Sequence, residues 1–413
     1  MNHACRHCGA PLQCDVIDLG HQPPSNAYLT KEKLSLPEVT FPLRVYVCTT
    51  CWLVQLPMHA PADELFTADY AYFSSTSTSW CSHAYRFVSH AVERFNLDFD
   101  SFVVEVASND GYLLQYVRQA GIPCLGIEPT HATAMAAREK GIETVESFFG
   151  VDLARQLVSD GVRADLLVAN NVLAHVPDIN DFLAAISLIL KPAGLASVEF
   201  PHLLSLLDGN QFDTIYHEHY SYLSLSTLQR MAADAGLMVF DAEPITTHGG
   251  SLRVWLARAG DAASMAQSST EREAVLGLLA KEADAGLMTL EAYARCQDRA
   301  LEAKFGLLEY LMAARRAGRC VLAYGAAAKG NTLLNFAGIR SDLLAAVADL
   351  APSKVGKWLP GSHIPIVGVD DMLLRQPDEI LVLPWNLASE VKAQLSRKIA
   401  VPIMVAIPSL MVI

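Results

Sequence analysis

The chain has 413 residues, 52% hydrophobic and 18% charged, a composition that excludes a largely disordered polypeptide. At roughly 100–200 residues per domain, it holds two to four domains. Its 31 Lys and Arg stand against 44 Asp and Glu, and the net charge of −13 argues against a protein that grips nucleic-acid phosphates.

Residues 1–65 read as a small β-rich module with five cysteines in the first 51 positions. Cys5-x-x-Cys8 and Cys48-x-x-Cys51 form paired knuckles. Two thiolates in such a turn can hold one side of a Zn²⁺, and two turns complete a tetrahedron. Cys14, His3 and His7 are the alternative ligands. Four sulfurs leave no open position, so the site is expected to be structural. The N-terminal MNHACRHCG has no apolar leader, and the nine cysteines are an odd count. Both point to a cytoplasmic protein with a metal site over a disulfide framework. Mean hydropathy is +0.24, yet no stretch of about 18 apolar residues occurs, so no membrane span is expected.

Residues 66–262 are expected to form a second domain. A polar, Tyr- and Ser-rich connector leads into a helical pattern over 80–97. From residue 102, short apolar runs alternate with helical patterns, which predicts a parallel α/β sheet. FVVEVA precedes GYLLQYVRQAG, CLGIEP precedes a helix near 131–140, and DLLVANNVLAHV precedes a helix over 181–190 and the run LASVEFP. LMVFDAEPI and SLRVWLARA have no long helix between them and are expected to close the sheet as an antiparallel hairpin.

A first small-residue loop, Glu105-Val106-Ala107-Ser108-Asn109-Asp110-Gly111-Tyr112, joins a strand to a helix start. Small residues let backbone approach a ligand at a helix N-terminus, although a full G-x-G-x-x-G is lacking. Glu128-Pro129 ends the next strand, where an acid can hold a ribose diol. Asn170-Asn171 ends a later strand at the same edge, where an adenosine or methionine contact would lie. Enzymes of NAD and of S-adenosylmethionine (SAM) share this logic. Glu105, an acid at the first strand's end, suits a cationic amino-acid cofactor better than a pyrophosphate.

The string Asp213-Thr214-Ile215-Tyr216-His217-Glu218-His219-Tyr220-Ser221-Tyr222 is too polar for a core and follows His202 at a strand end. On a strand, His217 and His219 would face one way and Glu218 the other. Metal ligation, a solvated loop and acid/base work are the three readings. In the last, a histidine takes a proton near neutral pH and a Tyr hydroxyl donates to an oxyanion. His175 is expected to converge on the same cleft. Residues 263–413 begin with helical segments and continue as a second α/β unit. Its loop, Gly325-Ala326-Ala327-Ala328-Lys329-Gly330-Asn331, suits a phosphate but is not a Walker A loop. Taken alone, with Asp349 ending the next strand, it reads as NAD binding. Trp385 and Asn386 end a strand on the same edge.

Together these features resemble the SAM-dependent sugar C-methyltransferases, which act on nucleotide-linked 4-keto-deoxysugars, often in making antibiotic sugars. The matching segments are the four cysteines, Tyr70–Ser75, Glu105–Gly111, Asn170–Asp178, Tyr216–Tyr220, His248–Arg253 and Gly325–Asn331. The resemblance implies three parts: a zinc-bearing β module, a Rossmann-like SAM methyltransferase core, and a C-terminal Rossmann-like domain. It implies SAM at Glu105, Ala107, Asn109, Gly111, Tyr112, Glu128, Pro129, Asn170 and Asn171, and a structural Zn²⁺. His219 would be the base that forms a C3 enolate, with Tyr216, Glu218, His175 and Tyr70 positioning the sugar. Tyr72, as stand-in for Tyr70, together with His202, Tyr220, Tyr222, Arg253, Gly325, Lys329, Asn331, Trp385 and Asn386, would bind a nucleotide-diphosphate keto-deoxysugar, with TDP as the family's usual nucleotide. The rivals are a SAM-dependent O- or N-methyltransferase, an NAD-dependent reductase and a non-catalytic zinc-ribbon protein. A monomer is the expected state.

Overall fold

The computed structural model describes residues 3–59, 73–261 and 268–413. In its first sheet, β1 (Cys14–Gln22) and β2 (Phe41–Val47) pair antiparallel, from Cys14 opposite Val47 to Gln22 opposite Phe41. Leu43, Val45 and Val47 are buried, while Arg44 between them reaches Asp15 at the surface. This is the alternation of a half-buried strand. The short β3 (Val54–Gln55) extends β2 on its other side.

The second sheet contains the expected parallel strands. β4 (Val103–Val106), β5 (Cys124–Ile127), β6 (Thr144–Val145), β7 (Ala164–Asn170) and β8 (Leu190–Pro201) lie side by side in the order β6-β5-β4-β7-β8. Every residue of β4 is buried, as a strand covered on both faces requires. Helix Thr78–Phe95 packs Phe87, Val88 and Ala91 into one core with Val103, Leu113 and Trp255. It starts at Ser77, whose side chain accepts the Trp80 N–H, and stops at Asn96 in the left-handed region. β9 (Ser221–Tyr222) leaves this unit and pairs with β3, becoming the fourth strand of the first sheet. β10 (Leu237–Ile245) and β11 (Ser251–Arg258) form the expected antiparallel hairpin, and β11 also runs antiparallel to β8. The strand order reverses between β4 and β7. The crevice at the carboxyl ends of strands at such a point is where open α/β sheets bind ligands.

Helices Ser269–Asp284, opened by a Ser268/Glu271 capping box, and Cys296–Arg316 lead to the third sheet. There β12 (Val321–Tyr324), β13 (Val347–Ala348), β14 (Ile366–Val367), β15 (Glu379–Val382) and β16 (Ile403–Val405) are parallel, and β17 (Met411–Val412) adds antiparallel at one edge. The first sheet is the bridge between the other two units. Val16, Leu43 and Val45 share a core with Leu307, Leu333 and Ile364. Cys5, Cys48 and Leu53 share another with Val172, Leu223 and Leu225. Among the described residues no helix is long and apolar enough to cross a membrane.

Candidate active site

The loop after β4 compensates for its missing glycines. Ala107, Asn109 and Gly111 all take left-handed backbone, with φ of 53°, 51° and 75°. Such conformations cost an L-residue about 1–2 kcal/mol and persist where surroundings over-determine them, often at ligand clamps. A Cβ on Gly111 would lie 2.2 Å from Ile142 Cδ1, and with φ of 75° glycine is favoured there. Glu128 closes the turn: its Oε2 accepts the Asn109 N–H at 3.0 Å and its Oε1 the Thr130 N–H at 2.9 Å. Asp110 anchors the described end of the connector by accepting the Ser75 hydroxyl, and it pairs with Lys140 at 3.0 Å.

Around this loop several buried polar atoms have no partner among the described residues. They are Glu105 Oε2, Ser108 Oγ and both amide atoms of Asn170 and of Asn171. Burial, reinforced by the neighbouring Glu128, pushes the Glu105 carboxyl well above its ordinary range, against a hydrogen bond from Tyr112. Buried polar groups are normally satisfied, and these lie at the crevice between β4, β5 and β7. A carboxylate, two amides and a hydroxyl suit a ligand with an ammonium group and several hydroxyls, so the donor set fits SAM.

The second cluster is built from two chain segments. Its first is the turn Leu173–His175 after β7, and its second is Tyr216–Tyr220 before β9. They are tied by Tyr220 N–H donating to the Ala174 carbonyl (2.8 Å) and by His175 Nδ1 bonding the Glu218 carbonyl (2.8 Å). The His175 and His219 rings meet edge-on at 4.7 Å, and the Tyr216 ring lies 3.9 Å from that of His219. His219 Nδ1 bonds the Thr214 carbonyl at 2.8 Å, which places the proton on Nδ1 and leaves Nε2 as an acceptor. Burial and the adjacent His175 hold His219 well below its ordinary pKa, and burial takes His175 to about 4, so both are neutral near pH 7. Glu218 Oε1 accepts from Asn26 of the first sheet unit at 3.1 Å, its Oε2 has no partner among the described residues, and burial raises its carboxyl. The Tyr222 ring lies 6.3 Å from His219 with its hydroxyl buried and unpartnered.

The strand considered for His217 and His219 is not the conformation adopted. The segment is a turn, because its peptide groups bond residues 174 and 175 instead of a ladder. His217 points away, edge-on to Phe41 at 5.8 Å, with both ring nitrogens unpartnered.

Other sequence-predicted positions divide. Lys329 Nζ donates to Asn386 Oδ1 at 2.7 Å and sits 4.6 Å over the Trp385 ring. Trp385 Nε1 donates to Asp213 Oδ2 at 2.8 Å, which places these three beside the Asp213–His219 segment. Burial lifts the Asp213 carboxyl to about 6, although Lys329 opposes this. His202, by contrast, is engaged elsewhere: its Nε2 bonds Glu282 at 2.7 Å, and Glu282 also accepts the Leu225 and Ser226 N–H groups. Arg253 is held in a buried ion cluster with Glu199 (3.2 Å) and Glu243 (2.9 Å). Tyr220 lies buried beneath Arg6. Asn331 donates to the Ser25 carbonyl at 3.1 Å and is also buried.

Gly325 is a tight turn, φ 92°, where a Cβ would strike Pro384 at 2.4 Å. Beside it, both Asp349 oxygens accept N–H groups of the chain, from Ala326 and Ala351. Each Asp349 oxygen thus holds one backbone N–H, the same arrangement that Glu128 has beside the first loop. Tyr70 and Tyr72 lie outside the described residues.

His248, part of a matching sequence segment, has no role assigned to it from the sequence. It is solvent-exposed at a turn with φ 54°, and its ring meets Trp80 at 5.2 Å. Trp80 in turn stacks on Tyr112 at 5.9 Å. The signal was the His-Gly-Gly turn, since Gly249 approaches Trp385 so closely that a Cβ would lie 2.3 Å from it.

Cys5, Cys8, Cys48 and Cys51 bring their sulfurs within 4.8 Å of one another. Cys5–Cys51 and Cys8–Cys48 are each 3.5 Å apart, close to the roughly 3.8 Å between sulfurs of a tetrahedron with Zn–S of about 2.3 Å. The two turns match, each ending in left-handed backbone at Gly9 (φ 74°) and Trp52 (φ 65°). Gln55 Nε2 donates to Cys5 Sγ at 3.1 Å, an outer-shell contact of the kind metal thiolates use. The donor set fits Zn²⁺, and Cys14, His3 and His7 are not part of it.

Over residues 5–66 the sequence matches the zinc binding domain family of methyltransferases, over 80–241 the methyltransferase domain family, and over 246–408 the C-methyltransferase C-terminal domain family. It is 36% identical over 387 residues to C-methyltransferase NovU of Streptomyces niveus, covering 94% of this chain and 90% of that protein. Among solved structures it is similar to magnesium protoporphyrin IX methyltransferase of Synechocystis PCC 6803 with bound SAM, at 15% identity, 43% and 79% of the two chains and a TM-score of 0.34. A SAM-dependent methyltransferase of Clostridium acetobutylicum gives 13%, 47% and 94%, and 0.35.

Proposed function

The chain belongs to the SAM-dependent C-methyltransferases that carry a zinc-binding N-terminal domain, and on that premise we propose that it methylates C3 of a thymidine-diphosphate 4-keto-deoxysugar. The observation that carries this reading is the state of His219: neutral, buried, with Nδ1 committed to Thr214 and Nε2 left as an acceptor. A carbon acceptor needs such a base, because C3 becomes nucleophilic only after losing a proton, and the neighbouring 4-keto group makes that proton acidic.

In this reading His219 takes the C3 proton and the electron pair moves onto the keto oxygen. Tyr216, Glu218 and His175 orient the sugar and balance the oxyanion. The enolate carbon then bonds to the methyl group, whose bond to sulfur breaks as S-adenosylhomocysteine departs, and His219 returns its proton to water. SAM supplies the methyl group; Glu105 receives its ammonium group, Glu128 its ribose, and Asn170 and Asn171 line the remainder. Lys329, Trp385 and Asn386 receive the diphosphate portion. An O- or N-methyl transfer would need no carbon base.

The test is incubation with SAM and a panel of nucleotide 4-keto-deoxysugars in deuterated water, read by mass. The expected result is one added methyl, with a loss of about 10²–10⁴-fold in His219→Ala, the usual contribution of a general base. Methylation at full rate in His219→Ala would overturn the carbon-acceptor mechanism.

A further inference from the structure

Between two of the zinc ligands sits a residue whose side chain reaches the catalytic segments. Arg6 belongs to the knuckle Cys5-Arg6-His7-Cys8. Its backbone N–H donates to Gln55 Oε1 at 2.9 Å, and Gln55 Nε2 donates to Cys5 Sγ at 3.1 Å. The guanidinium donates through Nη1 to the Pro177 carbonyl at 2.9 Å and through Nη2 to the Leu56 carbonyl. It also lies 5.3 Å over the Tyr220 ring.

These contacts gather three segments. Pro177 closes the turn that carries His175. Tyr220 directly follows His219. Leu56 donates its own N–H to the Tyr220 carbonyl at 3.0 Å. No carboxylate pairs with Arg6 among the described residues. An apolar side chain would fill such a space without the desolvation cost of a charge. A planar fork, however, can hold two carbonyls from different segments at one fixed spacing and still stack on a ring.

We infer that Arg6 is a positioning residue, which fixes His175 and His219 relative to each other from the zinc knuckle. The inference rests on the catalytic reading of those two histidines. Misplacement of reacting groups by about 1 Å costs on the order of 10²-fold in rate, so a slackened clamp should lower kcat while leaving the SAM cradle at Glu105 and Glu128 untouched.

The test uses the full-length, zinc-loaded protein as Arg6→Ala and Arg6→Lys. Wild type labelled with ¹⁵N-histidine gives the ring resonances, assigned with His175→Gln and His219→Gln. Zinc content, SAM affinity and the kinetics with a thymidine-diphosphate 4-keto-6-deoxysugar complete the measurement. The expected result is displaced His175 and His219 resonances in both variants and kcat down about 10–100-fold in Arg6→Ala. Arg6→Lys, whose single nitrogen cannot hold both carbonyls at the fork's spacing, should be intermediate, and zinc content and SAM affinity should stay within twofold. Unmoved resonances, unchanged kcat, or a loss that tracks zinc release would overturn it. If Arg6→Ala fails to fold, Arg6→Lys decides by the same criteria. If wild type methylates no sugar, the catalytic reading fails by itself, and the histidine resonances still decide whether Arg6 sets their geometry.

Discussion

Ala107 holds a backbone angle that glycine would adopt freely. Its φ of 53° belongs to the left-handed region, so Ala107→Gly should relieve strain worth about 1 kcal/mol and raise the thermal midpoint by a few degrees. Calorimetric melting of the two proteins checks this, and a destabilised Ala107→Gly would show that the methyl group has a packing role that outweighs its strain. His217 offers a second single-residue expectation. Burial takes it to about 4 from an ordinary 6.5. Between those values the unfolded chain binds a proton that the folded chain refuses, so this group's stabilisation is present above 6.5 and lost as pH falls toward 4. Buried carboxyls such as Asp213, lifted to about 6, act in the opposite direction. The clean measurement is therefore a difference: urea midpoints of wild type minus His217→Gln, expected to fall steadily from pH 6.5 to pH 4. A constant difference would contradict it.

At the scale of elements, the zinc knuckles and β9 act together. β3 leads out of the second knuckle and pairs with β9, which begins two residues after His219. Removal of zinc should therefore disorder β3 and reach the His219 turn, while the loops after β4 and β5 survive. The expected outcome is a lower melting temperature and lost methyl transfer, with SAM affinity largely retained in the zinc-free protein. Equal melting curves with and without zinc would refute the coupling. Elements of this kind also mark the limit of what the sequence discloses. The strands β4, β7 and β12 are legible because a parallel strand is a contiguous apolar run between helical patterns. β9 is not, since two residues carry no periodicity and their partner lies more than 160 positions away in the chain. The conformation at His217–His219 is not legible for a related reason: its hydrogen bonds go to residues 174 and 175, a choice made by tertiary contact. The His248–Arg253 segment is legible, but a role for His248 is not, because only the approach of Trp80 and Trp385 reveals where its turn lies. The four cysteines, in contrast, were readable from spacing alone, since the metal's geometry is written in the C-x-x-C interval.

On the scale of the whole molecule, the candidate site has contributors from all three sheets' units: Asn26 on Glu218, the His175–His219 pair, and Lys329 with Trp385 at Asp213. Divided in this way, the two ligands should be separable by mutation. Lys329→Ala removes a charge-assisted donor worth about 1.5–3 kcal/mol, so KM for the nucleotide sugar should rise about 10–100-fold. Affinity for SAM should stay within twofold by calorimetry. A parallel loss of SAM affinity would place Lys329 at the cofactor instead. The Trp385–Asp213 and Lys329–Asn386 bonds agree with a C-terminal unit that presents side chains to a neighbour's cleft.

The pairing of β3 with β9 also orders events during synthesis. The first sheet cannot be completed until residue 222 has left the ribosome, some 160 residues after its own strands emerge. At roughly 5–20 residues per second that is an interval of about 8–30 s. For that time the nascent chain carries an open strand edge beside four reactive thiols. Metal capture by the growing polypeptide would keep those thiols from oxidising. Zinc supply in the expressing cell should then govern the yield of soluble enzyme more than the zinc content of the finished molecule.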